Sequence, residues 1–282
     1  MKKESTAVKS ESFKQIYICS FGVKIEIKYD CALFTESELI ESLHKTLPNG
    51  FEIIGNEQIT HHFDVFTRYR NEELLFVIHK EKEHLVAART REDILDCLES
   101  KVRLTVAEFA VGKVFLHAGV VGWKGKALVL PGNSFHGKTT LVAELVKKGA
   151  EYFSDEYAVL DEYGFVHPFP KMLSMRGIID KIQQLDVPVE RFGGKAAQKP
   201  LEVGLILLTE FEKEAIWNPV VMSPGEGVLE ILSHTIPIRY KPEFSLKVLN
   251  KITNRATITK TRRGEASVFA DLILDFFEKQ TI

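Results

Sequence analysis

Gly132-Asn133-Ser134-Phe135-His136-Gly137-Lys138-Thr139 satisfies the pattern GxxxxGK[ST], and it lies between two segments of different periodicity. Ahead of it, Ala127-Leu128-Val129-Leu130 is a continuous apolar run of the kind a buried strand needs. Behind it, Thr139-Thr140-Leu141-Val142-Ala143-Glu144-Leu145-Val146 places apolar residues at helical spacing. A strand, a glycine-rich turn and a helix in that order confine this part of the chain to an α/β arrangement. The glycines let backbone N–H groups turn inward around phosphate oxygens, and the helix N-terminus adds partial positive charge. Lys138 offers a point charge to the β- and γ-phosphates, and the Thr139 hydroxyl can ligate Mg²⁺. The expected nucleotide-binding residues of this P-loop (Walker A) segment are Gly132, Asn133, Ser134, Phe135, His136, Gly137, Lys138, Thr139 and Thr140. A nucleoside triphosphate is the expected ligand.

The 282 residues suit one large α/β domain with a smaller companion, or two moderate domains. A net charge of −2 gives no electrostatic footprint for nucleic acid, so no nucleic-acid partner is expected. No apolar run approaches the roughly 20 residues of a membrane span, and no membrane partner is expected either. The charged start Met1-Lys2-Lys3-Glu4-Ser5 is followed by no apolar signal core. Cys19, Cys31 and Cys97 are odd in number and scattered, as reduced, partly buried thiols of a cytoplasmic protein would be. The histidines are dispersed, with His61-His62 the only adjacent pair and no ligand cluster around it, so zinc is not expected.

The region from 1 to about 110 reads as a β-rich α+β domain, either acceptor-binding or structural. Ile16 to Tyr29 predicts strands turning at Gly22, and Thr35 is placed to cap a helix that ends by Pro48-Gly50. Strands are expected at Phe63–Thr67 and Leu74–Ile78, and a helix opening after Thr90 is expected to connect to the second domain. From 111 to 282 the order is strand, hairpin at Lys124-Gly125-Lys126, strand, P-loop, helix and short strands from Ser154 to Leu160. A further strand at Val203–Leu208 follows, then helices near Gly227–Ser233, Phe244–Thr253 and Glu265–Phe277. Arg191 to Pro200 reads as a mobile surface loop and Thr261 to Glu265 as a basic turn.

Neighbouring residues must choose among the chemistries a P-loop serves. Asp161-Glu162-Tyr163-Gly164 fits DxxG, but no NKxD accompanies it, and a turn accounts for it better than a GTPase element. No LSGGQ-like segment is present. Asp155-Glu156 sits at the edge of apolar segments soon after the P-loop helix. Phosphoryl transfer needs one carboxylate near Mg²⁺ and one group to take a proton from the attacking oxygen. His117 lies among apolar neighbours, where a satisfied core histidine competes with a catalytic one. Arg176, also in an apolar segment, suits either a transferring phosphate or a structural ion pair.

Taken together, His117-Ala118-Gly119-Val120-Val121, the P-loop, Asp155-Glu156 and Arg176-Gly177-Ile178-Ile179-Asp180 resemble the catalytic domain of the HPr kinase/phosphorylase family in order and spacing. The resemblance implies a P-loop kinase domain of the type shared with phosphoenolpyruvate carboxykinase. It implies transfer of the γ-phosphate of ATP, with Mg²⁺, to a serine hydroxyl. It also leaves room for a homo-oligomer. By the same resemblance, Asp155, Glu156, His117 and Arg176 are the catalytic residues, with Asp155 as base and Thr139 and Glu156 on the metal side. The sequence departs from the family's pattern in three places: an Asp-Glu pair instead of Asp-Asp, Ser174 instead of a glutamate, and no C-terminal signature. The front section is closer to HPr-kinase-like proteins of biosynthetic clusters, some of which act on peptide precursors. The expected partner is therefore a protein or peptide phospho-acceptor of unknown identity, with HPr itself not favoured. A nucleotide-binding regulator with little turnover and a small-molecule kinase are the alternatives.

Overall fold

The computed structural model describes residues 13–132, 137–176 and 184–281, which divide into two compact units parting after Val111.

In the first unit, β1 (Phe13–Ser20) and β2 (Val23–Asp30) form the expected hairpin, followed by α1 (Glu36–Thr46). Next come β3 (Glu52–Ile53), β4 (His61–Arg70), β5 (Glu73–Lys80) and β6 (Glu83–Ala88), then α2 (Arg91–Phe109). The sheet order is β3-β1-β2-β4-β5-β6, antiparallel except where β2 runs parallel to β4. Strict alternation along β2 turns Val23, Ile25 and Ile27 to one face. There they pack with Leu39 and Leu43 of α1 and with Ile94, Leu98 and Val102 of α2. Rather than a bare connector, α2 is thus part of this unit's core. Thr35 caps α1 as expected: its hydroxyl accepts from the Glu38 N–H, while the Glu38 carboxylate accepts from the Thr35 N–H. Thr35→Ala is expected to destabilise this unit by about 1 kcal/mol, read as a lower urea midpoint at unchanged slope.

The second unit begins with β7 (Lys113–Trp123) and β8 (Lys126–Pro131), then α3 (Lys138–Lys147), β9 (Glu151–Ser154) and β10 (Tyr157–Asp161). It continues through β11 (Phe165–His167), β12 (Leu173–Arg176), β13 (Gln184–Val187), β14 (Leu201–Phe211) and β15 (Val220–Val221). It ends with α4 (Pro224–Leu232), α5 (Pro242–Thr253), β16 (Thr257–Arg263) and α6 (Ala266–Thr281). The sheet order is β11-β10-β7-β8-β14-β16-β15, and β11 also pairs with the start of β14, closing part of the path on itself. At its centre β8, β14 and β16 are parallel. Residues of β8 and of the middle of β14 are buried on both faces. Ala127 and Val129 pack with α4 and α5, while Leu128 and Leu130 pack with α3 and α6. Two-sided burial is why these strands read as continuous apolar runs rather than alternating ones.

The Asp161–Gly164 turn is as expected: the Asp161 carboxylate accepts from the Tyr163 and Phe165 N–H groups, and Gly164 takes φ +87°. Two sequence readings need correction. Thr261 to Arg263 is no basic turn but the end of β16, and Arg263 is buried. The alternation in Thr257-Ile258-Thr259-Lys260-Thr261 was the available signal, outweighed by the charges that follow it. Arg191 to Pro200 is not a free loop either. Tyr152 N donates to Lys195 O and Ala197 N to Tyr152 O, so this segment adds to the edge of β9. A Cβ at Gly194 would lie 2.1 Å from Val146 Cγ1, so the backbone there presses on α3. Among the described residues, no helix is long and apolar enough to cross a membrane.

Candidate active site

Strand β8 delivers the chain to Gly132, whose N–H donates to the His117 carbonyl on β7 at 3.3 Å. Asn133, Ser134, Phe135 and His136 lie outside the described residues. The chain is described again at Gly137, which caps α3 in the left-handed region at φ 71°. A side chain would be strained there, so glycine is required. Lys138 starts the helix, and its Nζ donates to the Gly132 carbonyl at 2.8 Å, spanning the turn from end to end. Burial pushes the Lys138 ammonium down to about 8, against the pull of Asp155 and Glu156.

Asp155 and Glu156 occupy a bend between β9 and β10, both of which pair with β7. The bend is formed by Ser154, whose hydroxyl accepts from the Glu156 N–H at 3.1 Å and the Tyr157 N–H at 2.9 Å. The interruption changes which side chains face inward. Asp155 is buried, 6% exposed, while Glu156 is half-buried. One Asp155 oxygen accepts from the Thr139 hydroxyl at 3.0 Å and the Ser174 N–H at 3.1 Å. The other is 3.1 Å from the Tyr152 hydroxyl, which lies 2.6 Å from the Lys171 carbonyl. Burial raises the Asp155 pKa, opposed first by the Lys171 ammonium and then by the Ser174 N–H. The same burial and the adjacent Asp155 hold the Tyr152 phenol well above its ordinary value.

Strand pairing sets His117 opposite Tyr157, and its N–H donates to the His234 carbonyl at 2.8 Å. Burial pushes the imidazole down to about 4, assisted by the positive Lys138 and by His234. A histidine held neutral in this way favours the folded state above pH 6.5, and that contribution is lost as pH falls from 6.5 towards about 4. His117→Gln is therefore expected to flatten the fall in Tm across that window, measured by thermal unfolding against pH.

The structure brings His117, Lys138, Thr139 and Asp155-Glu156 to the same end of the sheet; Thr140 follows Thr139 in the first turn of α3 and is exposed. Arg176 closes β12, but its side chain and residues 177–183 lie outside the described residues. The hydroxyl of Thr139, paired by sequence reasoning with Glu156 on the metal side, meets Asp155 instead. Sequence reasoning also missed four neighbours. Tyr152 and Lys171 surround Asp155. Asp186, opposite Ser174 on β13, accepts from the Ser174 hydroxyl at 2.9 Å, while the Lys171 ammonium donates to that hydroxyl at 2.8 Å. Arg263 reaches the Gly137 carbonyl at 3.1 Å. Tyr152 lies three residues before Asp155, whereas Lys171, Asp186 and Arg263 are distant in sequence from Lys138 and only tertiary contacts reveal them.

No protein-family model matches the chain, and no curated protein matches it. Among solved structures it is similar to the Hpr(Ser) kinase/phosphatase from Coxiella burnetii, over 60% of this chain and 99% of that one. The identity is 16% and the TM-score 0.34.

Proposed function

We propose that this chain is an ATP- and Mg²⁺-dependent kinase that transfers the γ-phosphate to a hydroxyl, serine foremost, of a protein or peptide. The observation that carries the reading is the 3.0 Å hydrogen bond from the P-loop hydroxyl of Thr139 to the buried Asp155 carboxylate. It joins the glycine-rich turn to an acid 16 residues further along the chain. A hydroxyl and a carboxylate form an all-oxygen donor set, which suits a hard cation completed by phosphate oxygens and water. Mg²⁺, when bound, neutralises charge on the phosphate oxygens. Lys138 supplies a positive charge to the same phosphates, and the first N–H groups of α3 supply partial ones. Glu156, beside Asp155 and less buried, takes the proton of the attacking hydroxyl. The new O–P bond then forms as the bond from the γ-phosphorus to the bridging oxygen breaks, and ADP leaves. In this assignment the two acids exchange the roles expected from the sequence. His117, held neutral, lies beside Lys138 and adds no positive charge.

Cys19, Cys31 and Cys97 are free and half-buried, which suits a reducing cytoplasm. A regulator with little turnover is the second reading. It is favoured by Ser174, where the resemblance expects a carboxylate and where the Lys171 ammonium lies 2.8 Å from the hydroxyl. The two are separated by incubating the protein with γ-labelled ATP, Mg²⁺ and lysate from its own source. Label on a discrete protein or peptide, absent with Lys138→Ala, supports the kinase. Label only on a small molecule moves the acceptor to a metabolite. ATP binding without transfer favours the regulator.

A further inference from the structure

Arg263 ends β16, and parallel pairing sets it beside Phe211 at the end of β14. It is 3% exposed, a rare position for an arginine. Its guanidinium is spread over specific acceptors. One amino group donates to the Gly137 carbonyl and the other to the Gly264 carbonyl, each at 3.1 Å, while the cation lies 5.8 Å from the Phe211 ring centre. Contact with the P-loop is tight, since a Cβ at Gly137 would lie 2.6 Å from Nη2.

Resting on the nucleotide-binding reading above, we propose that Arg263 is the positioning residue that sets the P-loop's last peptide for polyphosphate. The physical step is short. The Gly137 carbonyl and the Lys138 N–H belong to one planar peptide unit and point in opposite directions. Holding the carbonyl therefore aims that N–H outward from the helix N-terminus, the direction from which a phosphate approaches. The same carbonyl also accepts from the Leu141 N–H at 3.1 Å, so Arg263 and the first helical hydrogen bond fix it together. A planar fork is needed to bond two carbonyls at once, and the single point charge of lysine does not reproduce it. The buried cation further offsets the accumulated negative charge of a triphosphate.

The test measures binding of MgATP, MgADP and MgAMP by calorimetry in the full chain, with Tm recorded alongside. Arg263→Lys and Arg263→Gln are expected to weaken MgATP and MgADP at least tenfold and to leave MgAMP much less affected. Arg262→Gln, at the exposed neighbour that pairs with Glu212, serves as the control. A merely structural role would lower Tm without changing the preference of the folded fraction for triphosphate over monophosphate. Wild-type affinity for MgATP in either folded variant overturns the proposal. Should neither variant fold, hydrogen exchange of the wild-type chain decides. Slower exchange at residues 262–270 on adding MgATP supports the coupling, and unchanged exchange there overturns it. A wild-type chain that binds no ATP removes the functional reading together with this inference.

Discussion

Replacing Lys138 by alanine is expected to reduce phosphoryl transfer on the order of 10³-fold or more, because charge neutralisation dominates this chemistry. The protein should nevertheless fold. Burial already pushes the ammonium down to about 8, so the folded state carries its charge at a disadvantage relative to the unfolded chain. A lysine with a depressed pKa binds fewer protons folded than unfolded, so its contribution makes stability rise as pH climbs from about 8 to 10.5. Lys138→Ala should lose this rise and keep or exceed the wild-type Tm at pH 7, the lost bond to the Gly132 carbonyl notwithstanding. Single-turnover transfer and Tm measured across pH check both halves. Near-normal transfer in a folded variant would show that the P-loop is not the reacting site.

Asp155→Asn is expected to lower transfer by roughly 10²- to 10³-fold while raising Tm at neutral pH. A carboxylate whose folded pKa is raised favours the folded state at low pH, and that contribution is lost as pH rises through the folded value. Above that range the buried carboxyl is therefore a cost to folding, which the neutral amide removes. The local geometry accommodates the amide well. Its oxygen can accept from the Thr139 hydroxyl and the Ser174 N–H, and its NH₂ can donate to the Tyr152 hydroxyl. A gain in stability with a loss of activity marks a site kept for chemistry rather than for folding. Affinity for ATP without Mg²⁺ should change little. A stable variant with full transfer would assign Asp155 to structure alone, and a less stable one would show that the carboxylate braces the bend.

The local signals were strong where neighbouring residues settle the matter by themselves. Thr35 capping α1, the hairpin at Lys124-Gly125 and the strand, turn and helix around Lys138 are each specified within a few residues. Reading failed where a segment's fate depends on what lies beside it. The polar stretch Arg191–Pro200 resembles a free loop until Tyr152 supplies a backbone to pair with. Arg262-Arg263 resembles an exposed turn until β14 and Gly137 surround the second arginine.

The site divides in the same way. The sequence alone determined that a GxxxxGKT segment precedes a helix, that two acids follow it and that a histidine lies on the strand before it, because these are properties of spacing and side-chain type. Which acid meets Thr139 was decided by the bend at Ser154, which turns Asp155 inward and leaves Glu156 half-buried. That Asp186 joins the site was decided by the pairing of β12 with β13, that Arg263 does by the pairing of β14 with β16, and that Lys171 does by its contact with the Tyr152 hydroxyl. Burial, hydrogen-bond partners and the pKa shifts that follow from them depend on three-dimensional neighbours, so they exist only once the sheet is assembled.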